Sequence, residues 1–561
     1  MRDRVTGPSE AVMLGAIASA LALAFIVWLW GGVAGALFGQ GWPSVGSTQL
    51  PSIVARLPAR LSDPSHAWPG AVRADLPGPW GFYAALALVA SGIALPGFFL
   101  TRARSLQRPA PGASWARRGD LRALHGRRLA RHKSRLALGR HHGRLLRAED
   151  RHALVAFGPP QSGKSSGLAI PALLEWEGPV VASSIKTDLL VATLTRRRSL
   201  GDVFVFDPFE LGRAESHTWS PLHGARTWDG ALEVAWRLAA AGELDHRGVD
   251  GGDFWALAAE QRLAPLLYTA AATGAGMGAV VRWVYGQGGR ELDRTLLELS
   301  GSAREQADRD GAHAAYDAIR AFESQADRTR ASIEATAQAL LRGYRFTRVA
   351  RSARSCEITA DRLLEQSGTL YVIGDAKTSK LLRPIFLALL ADIVDRAYER
   401  ATLSGGRLEL PLLLCLDEAG NVAPLPNLAE IASTAPSHNI QLVSIFHDLA
   451  QARSRYRQQA ETVVNSHRAR MLLGGVADLN TLRYFAGLTG EEEAPDRSYT
   501  SGSGGSTRSV ARRRRPLIAP EALRQLRAGH ALLLYGRMPP VQVGLRLWFK
   551  DRRLRRLVGR P

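Results

Sequence analysis

The chain has 561 residues and a formal net charge of +21, and 46% of its residues are hydrophobic. This length exceeds what one hydrophobic core usually organises, so we expect at least two domains. Cysteine occurs only at Cys356 and Cys415, and the second lies inside an apolar run, which argues against a disulfide framework and against a cysteine-based zinc site.

Two apolar runs near the N-terminus predict a membrane anchor. Residues 11–40 and 80–100 contain no charged residue, and each run is long enough to cross about 30 Å of hydrocarbon as a helix. We therefore predict transmembrane helices at about 11–38 and 80–100 within an anchor of residues 1–100. A cleaved signal peptide is the alternative for the first run, although the run is longer than the apolar region of such peptides.

A strongly basic stretch follows the second apolar run. Residues 101–151 contain fifteen Lys or Arg against three Asp or Glu, a net charge of +12, whereas the loop between the apolar runs is lightly charged. The positive-inside rule then places both termini in the cytoplasm and the loop outside, as in a multi-pass protein of the inner or plasma membrane. We interpret residues 101–150 as a basic juxtamembrane segment whose charge faces anionic lipid headgroups.

The stretch GPPQSGKSS follows an apolar run and precedes a helix-forming sequence. Gly158, Gly163, Lys164 and Ser165 have the spacing of a phosphate-binding loop in the required strand, loop, helix context. Backbone N–H groups of such a loop converge on phosphate oxygens, the lysine reaches the β and γ phosphates, and the serine hydroxyl ligates Mg²⁺. The predicted nucleotide-binding residues are Gly158, Pro159, Pro160, Gln161, Ser162, Gly163, Lys164, Ser165 and Ser166.

In addition to the phosphate loop, an ATPase is expected to have an acidic site beside it. Five apolar residues, 412–416, run into Asp417 and Glu418, as in a buried parallel strand that opens at a nucleotide crevice. We expect Asp417 to hold the Mg²⁺ shell with Ser165, and Glu418 to polarise the attacking water. The alternative is an acidic pair that only caps a strand or helix. With Lys164, the doublet predicts an enzyme whose cofactors are ATP and Mg²⁺.

The remaining cytoplasmic sequence indicates an α/β fold. Short apolar runs alternate with helical stretches over residues 151–250 and 351–493, which predicts a parallel sheet covered on both faces. Residues 251–350 are rich in Ala, Arg, Glu and Leu and contain amphipathic runs without a strong strand signal, so we predict an all-helical insertion there.

The C-terminal part combines a polar stretch, two strand-like runs and a basic end. Residues 494–515 have the composition of a flexible linker, and residues 516–561 predict two strands and a basic tail. Residues 508–561 carry +13, which leaves −4 for everything outside the two basic regions. The sequence leaves open whether the tail is a DNA-facing arm or a solvated tail.

Further motifs extend over most of the chain from Ser114 onward. Besides GPPQSGKSS, they are SWARRGDL (114–121), SSIKTDL (183–189), VFDPF and TWSPL (within 205–222), DFW (253–255), LDEAGNVAPLPNLAEIAST (416–434), HDLAQARSRY (447–456) and NSHRARMLLGGVADLNTLRYFAGLTG (465–490). Taken together, these motifs resemble the TraG-like coupling ATPases of type IV secretion and conjugative DNA transfer. A generic RecA-like ATPase would share only the phosphate loop and the acidic strand.

The resemblance implies a RecA-like nucleotide-binding domain, an all-helical membrane-distal domain and a homo-hexamer with sites at subunit interfaces. The implied partners are DNA or a relaxase–DNA complex, the components of the type IV secretion channel and membrane lipid. His447 stands where relatives often carry a glutamine thought to sense the γ-phosphate, so it is a possible sensor, and a plain strand-end histidine is the alternative. The stretch STAPSHN replaces the arginine that relatives tend to carry beyond the acidic motif, so no trans arginine is assigned.

The leading functional hypothesis is a membrane-anchored ATPase that couples ATP hydrolysis to the recruitment and translocation of DNA. The same machine loading protein effectors is the first alternative, because the helical insertion has no readable code for its cargo. A non-hydrolysing membrane docking receptor is disfavoured by the intact Lys164, Ser165, Asp417 and Glu418. A chromosome pump of the FtsK type lacks support because the expected tail domain is not recognisable.

Overall fold

A computed structural model describes residues 8–92, 112–125, 135–212, 214–243, 252–302, 305–422, 424–502 and 505–559. The chain divides into two compact units, Met1–Pro111 and Gly112–Pro561.

The N-terminal unit is helical. Its described helices are α1 (Pro8–Phe38), α2 (Leu50–Arg56) and α3 (residues 79–92), and short 3-10 turns connect α2 to α3. The core is aromatic, since Trp30 and Trp68 are buried against Phe82 and the Trp30 indole N–H donates to the Phe82 carbonyl at 2.6 Å. Buried aromatic rings of this size contribute much of the apolar area that holds so small a unit together.

The membrane prediction is tested only in part. Within the described residues, one helical segment, Leu21–Phe38, is long and apolar enough to cross a membrane, judged by length and composition alone. The second predicted helix at 80–100 begins within α3, but residues 93–100 lie outside the described residues. Two transmembrane helices therefore remain a prediction.

The large unit is built on a mixed sheet. Its strands and those of a separate hairpin are β1 (Ala137–His141), β2 (Arg144–Arg147), β3 (Leu154–Phe157), β4 (Val180–Ser184), β5 (Val203–Phe206), β6 (Thr369–Ile373), β7 (Leu412–Leu416), β8 (Ile440–Phe446), β9 (Ala469–Leu473), β10 (Glu491–Gly502), β11 (Gly505–Pro516), β12 (His530–Tyr535) and β13 (Val541–Gly544). The sheet has eleven described strands in the order β2-β1-β13-β12-β9-β3-β8-β7-β4-β6-β5.

The half of the sheet from β9 to β5 is entirely parallel. Every residue of β3, β4, β6, β7 and β8 is buried, which explains why these strands read as continuous apolar runs rather than as alternating patterns. The predicted α/β fold is thereby confirmed. The other half, from β12 to β2, is antiparallel and was not expected as part of the same sheet.

Helices cover the sheet and build a separate block. In chain order they are α4 (Ile170–Glu175), α5 (Asp188–Arg198), α6 (Trp228–Glu243), α7 (Gly252–Thr273), α8 (Gly276–Val284), α9 (Gly289–Ser302), α10 (Gln306–Glu323), α11 (Asp327–Leu341), α12 (Thr347–Ser352), α13 (Ala360–Glu365), α14 (Thr378–Leu403), α15 (Leu428–Thr434), α16 (Leu449–Tyr456), α17 (Ala460–Ser466), α18 (Leu479–Thr489), α19 (Pro520–Arg524) and α20 (Arg552–Val558).

Helices α7 to α11 occupy the region predicted as a helical insertion, and the described residues of 252–350 contain no strand. The block extends beyond the predicted start, because α7 packs against α6 and α6 packs against α14. Buried residues of the block, such as Leu263 and Leu267, join one hydrophobic core with Phe206 and Phe386 beside the sheet. The helical block is therefore continuous with the sheet core.

The prediction of a basic juxtamembrane segment over residues 101–150 is wrong for its second half. Residues 135–150 belong to the large unit, where β1 and β2 form the antiparallel edge of the sheet. Arg135 is buried, and its guanidinium donates to the carbonyls of Ala123 and Arg147, each at 3.2 Å. An arginine in this stretch thus holds the fold together instead of facing lipid. Residues 101–111 and 126–134 lie outside the described residues.

The predicted flexible linker over residues 494–515 is also wrong. Strands β10 and β11 pair in antiparallel register and form a hairpin whose strands have 12 residues each. At its base, Glu492 forms an ion pair with Arg515 at 2.8 Å, and Glu493 with Arg512 at 3.3 Å. Backbone hydrogen bonds between the strands and cross-strand ion pairs order this polar stretch. Neither interaction can be inferred from amino-acid composition alone.

The C-terminal residues are folded as well. The two strands expected after residue 516 form β12 and β13, and β12 pairs with β9 inside the main sheet. Helix α20 packs against α4 and α5 through the buried Leu554. A free solvated tail is therefore excluded for residues 552–558.

Candidate nucleotide-binding site

The phosphate loop begins where the buried strand β3 reaches the carboxyl edge of the sheet. Gly163 has φ of 92°, a conformation that side chains with a Cβ rarely adopt, and a Cβ on Gly158 would lie 2.6 Å from the Ser162 Oγ. The chain then turns into helical structure from Ser165 onward, with the Gly167 N–H donating to the Gly163 carbonyl at 2.7 Å. The loop is thus a tight bend that ends at a helix N-terminus.

Lys164 is buried at the centre of this bend. Its ammonium donates to the Gly158 carbonyl and to the Pro159 carbonyl at 3.3 Å, and it lies 3.0 Å from Nδ1 of His447. Burial lowers the pKa of Lys164, while the negative charges of Glu418 and Asp417 act in the opposite direction. The ammonium is held by loop carbonyls that a phosphate oxygen can replace.

Asp417 lies at the end of β7, directly beside the loop. The Ser165 hydroxyl donates to Asp417 Oδ2 at 2.7 Å, and the Asp417 backbone N–H donates to the Ser183 carbonyl at 3.1 Å. Burial raises the pKa of Asp417 to about 7, although the bond from Ser165 acts in the opposite direction. The pairing of β3 with β8 and of β8 with β7 therefore brings together residues that are 252 positions apart.

The same residues fit Mg²⁺. Asp417 Oδ1 is buried and has no hydrogen-bond partner among the described residues, which leaves one carboxylate oxygen for a further ligand. Mg²⁺ prefers hard oxygen ligands and is usually bound by one or two protein groups together with water and phosphate oxygens. The Ser165 hydroxyl and Asp417 supply that donor set. Elsewhere in the described part of the chain, no cluster of three or more His, Cys, Asp or Glu offers a metal site.

Glu418 and His447 lie across the cavity from the loop. Glu418 is buried, and its Oε2 accepts from the Asn421 side-chain amide at 3.0 Å and lies 3.5 Å from His447 Nε2. The His447 backbone N–H donates to Gln451 Oε1 at 2.7 Å, which fixes the end of β8. Because Lys164 donates to His447 Nδ1, the hydrogen of that imidazole resides on Nε2 and faces Glu418. The predicted sensor thus contacts both charged groups.

These side chains line a cavity of about 440 Å³. The structure brings Asp417, Glu418 and His447 together with all predicted loop residues except Gly158 and Ser162. Gly158 shapes the turn instead, and the Ser162 Oγ is buried without a hydrogen-bond partner in the described residues.

Sequence reasoning missed four residues of the cavity wall, which lie at the end of β4 and directly after it. They are Ser184, Ile185, Lys186 and Asp188. The Ser184 hydroxyl lies 3.5 Å from Asp417 Oδ2 and accepts from the Lys186 backbone N–H at 3.3 Å. The signal was present in SSIKTDL, because polar residues directly after a buried strand gather at the same sheet edge as those after β7. Lys186 adds a second cation to the nucleotide cavity.

The chain is similar in sequence to a known family and to several of its members. The family model described as Type IV secretory system Conjugative DNA transfer matches residues 114–561. The chain is 22% identical over 443 residues to the conjugal transfer protein TraG of Escherichia coli, an alignment that covers 72% of this chain and 68% of that protein. It is 23% identical over 422 residues to the protein VirD4 of Rhizobium rhizogenes, with 74% and 60% covered. The chain thus spans roughly two thirds of the length of these relatives or less.

Solved structures show the same fold. The bacterial conjugative coupling protein TrwBdeltaN70 superposes with a TM-score of 0.57 at 19% identity, over 78% of this chain and 95% of that chain. TrwB in complex with ADP and Mg²⁺ gives a TM-score of 0.56 at 18% identity, over the same shares. Since the family model covers well over half of the sequence, the chain belongs to the Type IV secretory system conjugative DNA transfer family.

Proposed function

We propose that this protein is a membrane-anchored ATPase that couples ATP hydrolysis to the recruitment and translocation of DNA, or of a relaxase–DNA complex, through a type IV secretion or conjugation channel. The observation that carries the ATPase is the 2.7 Å bond between Ser165 Oγ and Asp417 Oδ2, with Lys164 and Glu418 in the same cavity. Family membership supports DNA as the cargo. The TrwB complex with ADP and Mg²⁺ supports the choice of nucleotide and ion.

ATP binding requires Lys164 to exchange its loop carbonyls for β- and γ-phosphate oxygens. The N–H groups of the loop and the start of the helix face the same phosphates. Ser165 and Asp417 would hold Mg²⁺, which neutralises the charge that develops on the phosphate oxygens. Burial of Lys164 and Asp417 strengthens these interactions, since charges attract more strongly away from water.

Hydrolysis requires a group that orients the attacking water. Glu418 suits this role because Asn421 holds one carboxylate oxygen at 3.0 Å, so the side chain is already positioned. His447 lies between Lys164 and Glu418 and would register whether the lysine contacts its imidazole or a γ-phosphate. Loss of that phosphate would change the packing between subunits of a homo-hexamer and move the cargo towards the membrane.

The ATPase assignment is tested with the full chain in phosphatidylcholine nanodiscs. Lys164→Ala should weaken ATP binding and lower turnover by about 10²–10³-fold, because one cationic contact to the phosphates is lost. Glu418→Gln should lower turnover by about 10²–10⁴-fold and leave ATP binding close to that of the wild type. Lys380→Ala, which removes an exposed lysine outside the cavity, is the control. Wild-type turnover in either site variant contradicts the proposal.

The cargo is tested by adding single-stranded DNA to the same assay. If DNA is the cargo, the wild-type ATPase rate should rise, because the proposed function couples hydrolysis to the movement of DNA. An unchanged rate, together with stimulation by a secreted protein, favours the effector-loading alternative.

A further inference from the structure

A strongly basic surface surrounds a second cavity next to the phosphate loop. This basic cavity has a volume of about 520 Å³, and its wall includes Arg140, Leu547 and residues 550–553. The exposed cations at and beside its mouth are defined here as the C-terminal basic surface, namely Arg140, Lys550, Arg552, Arg553, Arg555 and Arg556.

Only part of the local charge is neutralised. The buried Arg546 forms ion pairs with Glu175 at 2.9 Å and with Asp551 at 3.0 Å, and Arg140 reaches Asp551 at 3.3 Å. The nearest carboxylate to Arg553 is Glu175, at 3.9 Å. Four cations have no carboxylate at ion-pair distance in the part of the chain that the structure describes, namely Lys550, Arg552, Arg555 and Arg556. The surface therefore carries a positive field that these carboxylates do not cancel.

The cations are mounted on folded structure. Asp551 Oδ1 accepts from the backbone N–H groups of Arg553 at 3.0 Å and Leu554 at 3.3 Å, which caps α20, and Leu554 is buried. Phe549 precedes Lys550 and leaves 47% of its surface exposed. Cations combined with an exposed aromatic ring are the usual means of binding single-stranded nucleic acid, because the cations follow the backbone and the ring stacks on a base.

The same segment contacts the phosphate loop. The Trp548 backbone N–H donates to the Ser166 carbonyl at 3.0 Å. Leu547 Cδ2 lies 3.4 Å from the positions that a Cβ would take on Gly163 and on Gly167. Residues 547 and 548 thus pack against the first helical turn of the loop.

We propose that the C-terminal basic surface binds the phosphodiester backbone of single-stranded nucleic acid, with Phe549 stacked on a base. Binding of the nucleic acid then changes the contact that Leu547 and Trp548 make with the phosphate loop. The binding of nucleic acid is argued from the surface alone, whereas its effect on the phosphate loop rests on the proposed ATPase function. An anionic membrane is the alternative ligand, and the vesicle arm of the binding test distinguishes it.

Binding is tested with a labelled oligo-dT and the full chain in phosphatidylcholine nanodiscs, without ATP. The test variant combines Lys550→Gln, Arg552→Gln, Arg555→Gln and Arg556→Gln, four changes that break no ion pair in the described residues. The affinity should fall at least tenfold, and the slope of log K against log salt should become shallower by about 2.8, or about 0.7 for each of four phosphate contacts. Phe549→Ala should weaken binding by about tenfold and leave the slope unchanged.

The matched control removes four exposed arginines elsewhere, Arg290→Gln, Arg328→Gln, Arg407→Gln and Arg483→Gln, so the change in net charge is the same. The control should bind oligo-dT as the wild type does. An equal loss of affinity in test and control variants overturns the proposal, because the effect then follows net charge alone. The proposal is equally overturned if the test variant binds oligo-dT normally but no longer floats with added phosphatidylserine vesicles.

Coupling is tested by the ATPase rate with and without oligo-dT. The test variant should keep its basal rate and lose the stimulation, since none of its substitutions lies in the nucleotide cavity. Stimulation that survives the loss of binding overturns the coupling to the loop. An inactive wild type contradicts the ATPase proposal, and the ATP-free binding assay still decides whether the surface binds nucleic acid.

Discussion

The nucleotide cavity is lined by the phosphate loop and the basic cavity by a segment that packs against it, but the two cavities are built in opposite ways. The nucleotide cavity gathers buried groups of both signs from strand ends that are far apart in the sequence, such as Lys164 and Asp417. The basic cavity is lined mainly by one continuous segment, residues 545–553, and most of its cations are exposed. Burial together with pairing therefore distinguishes charges that build a site from charges that remain available to a ligand.

The contrast extends to single arginines of one segment. Arg546 is 4% exposed and has two carboxylate partners, whereas Arg553 is exposed and lies 3.9 Å from its nearest carboxylate. Removal of a buried charge leaves its partners uncompensated, while removal of an exposed charge leaves them to water. The same residue type is thus a buried structural element at position 546 and an exposed cation with one long ion pair at position 553.

Among the substitutions considered, the replacement of Arg546 should lower stability most, and the replacement of Arg553 is the comparison. Arg546→Met keeps the apolar stem and should lower the free energy of unfolding by about 3 kcal/mol, the lower end for a broken buried pair, because Glu175 keeps only Arg147 and Asp551 only Arg140 as close arginine partners. Arg553→Met is the matched control and should change it by no more than about 0.5 kcal/mol. Thermal unfolding of the full chain, followed by tryptophan fluorescence, measures both. Equal shifts of the two midpoints would remove the distinction between the two arginines.

A third kind of group is the histidine that is buried in its neutral form. His467 is fully buried, with Nδ1–H donating to the Val463 carbonyl at 2.7 Å and Nε2 accepting from the Ser444 hydroxyl at 3.0 Å. Burial lowers the pKa of His467 from 6.5 to about 4, because the charged form is excluded from the core.

Because folding lowers the pKa of His467, acid should destabilise the folded chain. The pKa of His467 is lower in the folded chain, so the unfolded chain takes up a proton first, and stability that is present above pH 6.5 is lost as the pH falls towards 4. The loss is about 3 kcal/mol for this group. His467→Gln, which does not titrate, should lose correspondingly less between the two pH values, as seen in unfolding midpoints. Parallel pH profiles of variant and wild type would show that His467 is not buried in its neutral form.

The smallest effect is expected at the base of the β10–β11 hairpin. Arg515 and Glu492 form a short ion pair, but both side chains contact water. Arg515→Gln should therefore change the free energy of unfolding by about 0.5 kcal/mol, and Arg513→Gln, an exposed neighbour, by no more. A change at Arg515 as large as that at Arg546 would mean that the hairpin is held by a contact other than this exposed pair.

The features that the sequence predicted correctly are those that depend on local pattern. Strands β3, β4, β6, β7 and β8 are buried on both faces and therefore read as continuous apolar runs. The phosphate loop and the acidic doublet follow such strands directly, and parallel strands place their carboxyl ends at one edge. The contact between Ser165 and Asp417 was therefore predictable without knowledge of the strand order.

The features that the sequence missed depend on distant partners. Arg135 was assigned to a lipid-facing segment and Arg546 to a basic tail of open role, because their acceptors, such as Ala123 and Glu175, are not visible in local composition. The hairpin was interpreted as a linker because cross-strand pairs between Glu492 and Arg515 are not visible in composition. Net charge in a basic run therefore does not reveal which of its members are available to bind.

If Lys164 and Asp417 bind the same Mg²⁺–ATP, the affinity for a non-hydrolysable ATP analogue should depend on both residues and on the ion. In the wild type, affinity should be higher with Mg²⁺ than with EDTA, and Asp417→Asn should abolish that difference, while the exposed control Asp317→Asn keeps it. Lys164→Ala should weaken binding under both conditions. If Asp417→Asn retains the full Mg²⁺ dependence, the two residues do not share a nucleotide and the account is wrong.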